Sequence, residues 1–381
     1  MTHRFLKTAL FFLGAIAAAG ETTRALLPLP VPSAASQIAP PADPEHFMFA
    51  IAGDNRAAGR DVPPPPTARQ IFSELRLLRP AFCLWTGDAI YGSDDTVGEA
   101  RAEYEAFLGD AAAAATPIFN APGNHEIYER RDMETVYEKS MGRLYGSFDY
   151  GNAHVIALDT EEVGSKTGIG AEQKEWLRQD LAANKSANIF VFMHHPLFPK
   201  KKSAGFVDRA NRDEIHQLFV QYGVSYVFSG HEHLFYQSVH DGIHYVVTGG
   251  GGAPIDDAPQ DGGFQHYILV AVNGKSVAIT VLEPWRLFQT TGSVLPNGSC
   301  VTRVDNYHNA DLSAVVDFPS DALGSRAAAT ASFTYKGTTH PVSAVIVPAR
   351  MPGTIAVQVT VPRSRSVLVS IAPAPTPTPT K

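Results

Sequence analysis

The feature that most constrains this chain is a series of short apolar segments, each ending in polar residues able to bind a metal or transfer a proton. The first is FMFAIAGDN, residues 47–55, and it is followed by AFCLWTGD, TPIFNAPGNH, ANIFVFMHHP and VSYVFSGHEH. Each apolar segment has the length and composition of a buried β-strand. Amphipathic segments lie between them, so the pattern predicts an α/β fold in which strands alternate with helices.

Apolar residues recur at helical spacing in the segments between these strands. We predict four helices, in TARQIFSELRLLRP, VGEARAEYEAFLGDAAAAA, AEQKEWLRQDLAANK and RDEIHQLFVQYG. Two further segments are typical of β-hairpins, because GSFDYGNAHVIALDT has Gly-Asn and QHYILVAVNGKSVAITVLEP has Asn-Gly at the turn. After about Pro284 the helical period disappears, and regularly spaced short strand-like segments predict a small all-β sandwich domain.

The 381 residues are enough for one large domain and a smaller one. Residues 1–25 begin with basic residues and continue with an apolar stretch that ends in small residues, a pattern typical of a secretory signal peptide. The apolar stretch is short for a membrane anchor. We therefore expect a secreted or periplasmic protein with no stable membrane insertion after cleavage. The remaining divisions we predict are a Pro/Ala-rich linker (26–44), a catalytic domain (45–287), a β-sandwich domain (298–372) and a Pro/Thr-rich tail (373–381).

Charge and cysteine content exclude some classes of protein. The net charge of −7 argues against a general nucleic-acid binder, so we expect no nucleic-acid partner. Two cysteines, Cys83 and Cys300, are too few for a disulfide framework, although an oxidising compartment would allow one bridge. The sequence does not predict an oligomeric state.

The polar residues at the strand ends form a candidate metal site. In parallel sheets the carboxyl ends of the strands meet at one edge, so residues that are distant in sequence converge there. Carboxylate and amide oxygens together with imidazole nitrogens suit transition metals and zinc, and without thiolates the set does not fit a zinc finger. The residues concerned are Asp54, Asp88, Asn124, His125, Glu126, His194, His195, His231 and His233.

Taken together, these strand-end motifs resemble those of the calcineurin-like metallophosphoesterase superfamily, over about residues 47–284. The resemblance implies a two-sheet β-sandwich flanked by helices, with a two-metal centre that hydrolyses phosphate esters. Arg56 stands where the main pattern has a histidine. The purple acid phosphatase branch lacks that histidine, usually has glycine where Arg56 stands, and binds ferric iron through the tyrosine of G-D-x-x-Y. Gly87–Tyr91 matches this motif, and Val191–His194 matches the V-x-x-H of the same branch.

The resemblance also implies two sets of metal ligands. It implies ferric iron in the first site and Fe, Zn or Mn in the second. The ligands of the first metal would be Asp54, Asp88, Tyr91 and His233, and those of the second would be Asp88, Asn124, His194 and His231.

The same resemblance implies a small phosphorylated substrate and attack by a metal-bound hydroxide. His125 would stabilise negative charge or protonate the leaving oxygen, and Glu126 would orient it. Arg56 would pair with a phosphate oxygen. Because neighbours on a strand point in opposite directions, we expect His195 to turn away from the metal beside His194 and to face substrate or pack.

The sequence thus predicts an exported phosphoesterase that hydrolyses phosphate monoesters, as acid phosphatases do. Two alternatives stay open at this point. One is a phosphodiesterase of the same superfamily, since a fold does not determine its substrate. The other is a catalytically inactive surface or binding protein that keeps the fold.

Overall fold

The structure is a computed structural model. Residues 1–24 of the predicted signal peptide and residues 374–381 of the predicted tail lie outside the described residues, as does part of the linker. The structure describes residues 25–30, 38–92, 94–165, 167–290, 292–321, 323 and 327–373. The helices are α1 (Thr67–Leu78), α2 (Val97–Ala111), α3 (Asn124–Ile127), α4 (Arg131–Ser140), α5 (Ala171–Ala183) and α6 (Arg209–Tyr222).

Eleven strands precede the C-terminal region in the described part of the chain, and they form two sheets. These strands are β1 (His46–Ala52), β2 (Cys83–Trp85), β3 (Ile118–Asn120), β4 (Gly146–Tyr150), β5 (Ala153–Ala157), β6 (Asn188–Met193), β7 (Tyr226–Ser229), β8 (Phe235–His240), β9 (Ile243–Thr248), β10 (Tyr267–Asn273) and β11 (Ser276–Leu282). The first sheet has the order β11-β10-β1-β2-β3 and the second β4-β5-β6-β7-β9-β8.

Parallel pairing brings the carboxyl ends of the central strands to one edge in each sheet. β1, β2 and β3 are parallel in the first sheet, and β5, β6, β7 and β9 are parallel in the second. The two predicted hairpins, β4–β5 and β10–β11, are confirmed as antiparallel pairs at the sheet borders.

The two sheets pack face to face, and helices cover their outer faces. Successive side chains of β1 point to opposite faces of the sheet, so this strand contributes to two core layers. Phe49 and Ile51 lie in the core between the sheets. Ala50 and Ala52 face the other way and pack beneath α1, α2 and α4. On the second sheet α5 and α6 cover Val191 and its neighbours. The two-sheet sandwich flanked by helices is therefore confirmed.

Local sequence explains why the helix α1 stops where it does. Ile71, Phe72 and Leu75 lie on its buried face. Arg79 adopts a left-handed conformation with φ of 47° and donates its N–H to the carbonyl of Leu75. The helix cannot continue through the following Pro80. The four helices expected from the sequence are confirmed, whereas α3 and α4 were not predicted.

The chain after residue 286 forms two further antiparallel sheets. The strands are β12 (Leu287–Gln289), β13 (Ser293–Val294), β14 (Cys300–Asn306), β15 (Leu312–Pro319), β16 (Ala327–Tyr335), β17 (Thr338–Val342), β18 (Ala344–Val347), β19 (Thr354–Val361) and β20 (Arg365–Pro373). The orders of the two sheets are β12-β14-β20-β16-β17, with β13 beside β14, and β15-β19-β18. The division into domains at the predicted residues stays a prediction.

This C-terminal region packs on the outer side of α1. Its apolar residues belong to the same core cluster as the residues beneath α1. Arg79 forms an ion pair with Asp317 of β15. The guanidinium of Arg350 lies 3.4 Å from the carbonyl of Pro80 and 3.3 Å from that of Ala115. These contacts lie away from the edge where the strand ends meet.

Both cysteines are buried and free, so the bridge that an oxidising compartment would allow is not formed in this structure. Cys83 lies in β2 and Cys300 begins β14, each within apolar packing. In the described ranges, every helix is too short or too polar to cross a membrane.

A buried histidine between two carboxylates makes the stability of the fold depend on pH. Nδ1 of His154 lies 2.7 Å from Asp149, and Nε2 lies 2.8 Å from Asp180. Burial lowers the pKa of His154, but the hydrogen bonds to Asp180 and Asp149 outweigh burial and raise it above its ordinary value. A raised pKa in the folded state stabilises the fold below the unfolded pKa of about 6.5, and this contribution is lost as pH rises through the folded pKa.

His154→Gln should therefore destabilise the protein more at pH 6 than at pH 9. We expect a loss of about 1.5–3 kcal/mol in the free energy of unfolding at pH 6, since the hydrogen bonds that are lost join charged groups. Urea unfolding at the two pH values measures the difference. An equal loss at both would show that His154 is neutral in the folded protein throughout this range.

Candidate metal centre

Six of the seven predicted metal ligands converge where the ends of the two sheets meet. Asp54 follows β1 and Asp88 follows β2, while Asn124 begins α3, the next element after β3. From the second sheet, His194 follows β6, and His231 and His233 follow β7. Asp54 and Asp88, with His194, present ligand atoms within 4.8 Å of one another.

The backbone at these positions turns sharply out of the strands. Asp54, Asp88 and His231 have φ values of 60°, 53° and 69°, which side chains other than glycine adopt at a cost. Glycines allow the close approach of neighbouring loops. A Cβ atom at Gly123 would lie 2.3 Å from Oδ1 of Asp88, and one at Gly230 would lie 2.2 Å from Oδ2 of Asp54. Glycine at these two positions therefore allows the carboxylates of Asp88 and Asp54 to pack directly against the backbone of neighbouring loops.

One part of the centre is built around the amide oxygen of Asn124. This oxygen lies 3.0 Å from Nε2 of His194 and 3.0 Å from Nδ1 of His231. Nε2 of His194 also lies 3.3 Å from Asp88. His194 donates its Nδ1 proton to the carbonyl of Thr86 at 2.8 Å, so Nε2 of the neutral ring is a lone pair.

Hydrogen-bond acceptors of His194, Asn124 and Asp88 therefore face one another here. Burial lowers the pKa of His194, which keeps the ring neutral, and its Nε2 lone pair then points at the oxygens of Asn124 and Asp88. The same cause, burial, lowers the pKa of His231 well below its ordinary value. The Nε2 lone pair of His194, which faces these two oxygens without a proton between them, fits a bound cation.

A second group of acceptors surrounds Asp54. Its Oδ1 accepts the N–H of His231 at 2.8 Å, and Nε2 of His233 lies 3.7 Å away. His233 donates Nδ1–H to the carbonyl of Pro254, so its Nε2 also presents a lone pair when neutral. The other oxygen, Oδ2, is buried and has no hydrogen-bond partner among the described residues. An unpartnered buried carboxylate oxygen beside imidazole lone pairs fits a second cation.

Opposite pKa shifts distinguish the two carboxylates. Burial raises the pKa of Asp54 well above its ordinary range, and repulsion by Asp88 adds to this effect. Burial also raises the pKa of Asp88, but electrostatic attraction to the imidazoles of His194 and His125 and to the guanidinium of Arg56 outweighs burial and holds this pKa below its usual range. Asp88 is thus the anion on which the positive charges of the site converge.

Arg56, at the position of the missing histidine, lies beside this anion. Its Nε is 3.4 Å from Oδ2 of Asp88, and its side chain is 20% exposed. Nη1 donates to the carbonyl of Ala57. The guanidinium therefore reaches both Asp88 and the open side of the centre.

Tyr91 lies close to His125. The Tyr91 carbonyl accepts the Nδ1 proton of His125 at 2.5 Å, and the two ring centroids are 5.7 Å apart. The backbone N–H of Tyr91 donates to Glu103. Within the described part of the chain, no hydrogen bond joins Tyr91 to Asp54, Asp88 or His233. Its role as a metal ligand stays a prediction.

Glu126 is fully buried and holds the loops together. Its carboxylate accepts the N–H groups of Asp88, Ala89 and Gly123 at 2.6–2.9 Å. Burial raises its pKa to about 8, with repulsion by Asp88 as a second cause. The carbonyl of Tyr91 fixes the His125 ring at Nδ1, a partner that the sequence did not indicate.

The expectation that His195 turns away from the proposed ligands is wrong. A nitrogen of His195 lies within 4.8 Å of nitrogens of both His194 and His231. The reason is that β6 ends at Met193, so strand alternation no longer applies. Glu161, which hydrogen-bonds His195, was missed. It follows the end of β5, so the strand-end rule would have found it.

Comparisons with known proteins identify a family and several relatives of this chain. Residues 42–235 match the family model described as calcineurin-like phosphoesterase. The serine/threonine-protein phosphatase CPPED1 of Danio rerio is 29% identical over 153 residues, covering 37% of this chain and 50% of that protein. Purple acid phosphatase 23 of Arabidopsis thaliana is 30% identical over 159 residues, covering 36% and 34%.

A solved structure shows a similar fold. The purple acid phosphatase PPD1 from yellow lupin (Lupinus luteus) seeds superposes with a TM-score of 0.51 at 17% identity, over 70% of this chain and 53% of that one.

The phosphoenolpyruvate phosphatase of Allium cepa is 28% identical over 167 residues, covering 39% and 34%. The chain thus spans half or less of the length of these curated relatives.

Proposed function

The chain belongs to the calcineurin-like phosphoesterase family, and we propose that it is an exported two-metal enzyme that hydrolyses phosphate monoesters. The observation that carries this proposal is the buried convergence of acceptors around Asp54, Asp88 and Asn124, which bound cations would satisfy. Export rests on the signal-like pattern of residues 1–25. The substrate would be a small phosphorylated molecule.

Two ions would share the carboxylate of Asp88. Two bound cations, when present, supply a nucleophile at neutral pH and neutralise charge on the phosphoryl oxygens. The ligands of the first would be Asp54, Asp88, Tyr91 and His233, and those of the second would be Asp88, Asn124, His194 and His231.

His125 and Arg56 would act on the substrate. The Tyr91 carbonyl holds the Nδ1 proton of His125 and so fixes the ring. Nε2 would then be the nitrogen that delivers a proton to the leaving oxygen. The guanidinium of Arg56 is held at Asp88 on the exposed side, where it would donate hydrogen bonds to a phosphate oxygen. Glu126 would support both steps by keeping the loops of Asp88 and Gly123 in place.

We propose ferric iron for the first site and a divalent Fe, Zn or Mn ion for the second. A phenolate from Tyr91 is a hard anionic oxygen donor, which favours a trivalent ion. The tyrosine pKa of about 10 means that a strong local cation must displace the proton.

The test of the proposed function compares two model substrates. We expect the metal-loaded protein to release nitrophenol from nitrophenyl phosphate at least ~10-fold faster than from bis-nitrophenyl phosphate, because two cations and Arg56 favour the more highly charged monoester. Asp88→Ala, which removes the shared ligand, is the inactive control. Faster diester cleavage would make the protein a phosphodiesterase, and cleavage of neither ester with two ions bound would make it an inactive binding protein.

His125→Ala should retain its metals and lose turnover in a way that depends on the leaving group. A general acid contributes ~10²–10⁴-fold, so alkyl phosphates should show a loss of that size. The loss should shrink for nitrophenyl phosphate, since nitrophenolate leaves without a proton. His216→Ala, whose ring contacts Tyr245 and Asp241 instead, is the control. Equal losses with both kinds of ester would rule out the acid role.

Tyr91→Phe should remove a visible absorption band from iron-loaded protein. A phenolate bound to ferric iron gives a charge-transfer band, and the phenyl ring has no oxygen to supply it. Tyr104→Phe is the matched control, since the buried Tyr104 hydroxyl makes no hydrogen bond in the described structure. Absorption spectra with iron counted per chain measure the effect. A colourless iron-loaded wild type would contradict the ferric tyrosinate.

A further inference from the structure

Three imidazole rings cluster at the second metal site, although the ligand set proposed above uses only two of them. The ring centroids of His195 and His231 are 3.9 Å apart, and that of His194 lies 5.2 Å from each. Each ring offers one nitrogen within 4.8 Å of the other two. We propose that His195 is a third nitrogen ligand of the second metal and that Glu161 positions it. This inference rests on the two-metal function proposed above.

The local backbone explains how two consecutive histidines serve one site. β6 ends at Met193, and a bend at His194 and His195 precedes Pro196. The N–H of His195 donates to the hydroxyl of Thr160 at 3.1 Å, which ties the bend to the end of β5. Both rings can then point to the same side.

A buried carboxylate stands behind His195. Oε1 of Glu161 accepts the Nδ1 proton of His195 and also the hydroxyl proton of Thr160 at 2.8 Å. Glu161 is only 8% exposed, and its own N–H is held by Asp159 at 2.7 Å. With Nδ1 engaged as a donor, Nε2 is the nitrogen that carries the lone pair. A carboxylate behind an imidazole is the arrangement that orients metal-binding histidines and strengthens them as ligands.

A third imidazole narrows the choice of ion. With His195 the second site has three nitrogens, the amide oxygen of Asn124 and the shared carboxylate of Asp88. Nitrogen-rich sets suit zinc, whereas manganese and magnesium prefer oxygen ligands. The ion of the second site is therefore a nitrogen-preferring divalent cation, for which Zn²⁺ is the probe.

The experiment measures Zn²⁺ and Mn²⁺ affinity by chelator competition, with ions counted per chain. His195→Ala should weaken one of two Zn²⁺ sites at least ~10-fold and leave the other unchanged, and Glu161→Gln should weaken the same site ~10–100-fold. Mn²⁺ affinity should change less. His216→Ala, a buried histidine also paired with a carboxylate, is the control and should keep both sites. Thermal unfolding of each variant verifies folding.

Two outcomes would overturn the inference. One is wild-type Zn²⁺ affinity at both sites in folded His195→Ala; a raised KM there would make His195 a substrate contact and leave the two-metal function standing. The other is the absence of a second ion in the wild type, which would overturn the two-metal function as well. If His195→Ala fails to fold, the milder Glu161→Gln variant decides on its Zn²⁺ affinity.

Discussion

The metal centre is organised around buried lone pairs that face one another, because His194 donates its Nδ1 proton to a backbone carbonyl and leaves Nε2 without one. Nε2 of His194 points at the amide oxygen of Asn124 and at Asp88, and Oδ2 of Asp54 is buried without a partner in the described structure. Such an arrangement is unfavourable unless cations join it. Arg56 supplies part of the positive charge at Asp88, so the guanidinium stands beside the proposed ions and complements them.

The surrounding fold stabilises the metal centre although several of its residues have a strained backbone conformation. Left-handed backbone at Asp54, Asp88 and His231 costs about 1–3 kcal/mol for each residue. Paired strands fix the chain just before each of these positions, and Glu126 ties the Asp88 loop through backbone hydrogen bonds. Gly123 leaves the space that Asp88 needs. Packing of two sheets between helices therefore supplies the rigidity that a preorganised metal centre requires.

Much of the fold and of the metal centre could be predicted from the sequence. Hydrophobic periodicity and polar residues at strand ends are both visible in short stretches of sequence. Alternating segments predicted the sandwich, and the strand-end rule brought together most of the proposed ligands. Contacts that depend on loop conformation were not predictable. The approach of Arg56 to Asp88, the Tyr91 carbonyl on His125 and the turn that brings His195 to His231 all arise where strand alternation has ended. The helices α3 and α4 were not predicted because they are short and lack a long apolar period.

The most direct test of the two-metal centre is anomalous scattering from crystals of the metal-loaded protein. Data collected at the iron and zinc absorption edges locate each ion without reference to activity. A two-metal centre predicts two peaks, both within coordination distance of Asp88, one beside Asp54 and His233 and the other beside Asn124. A single peak, or peaks remote from Asp88, would contradict a two-metal centre.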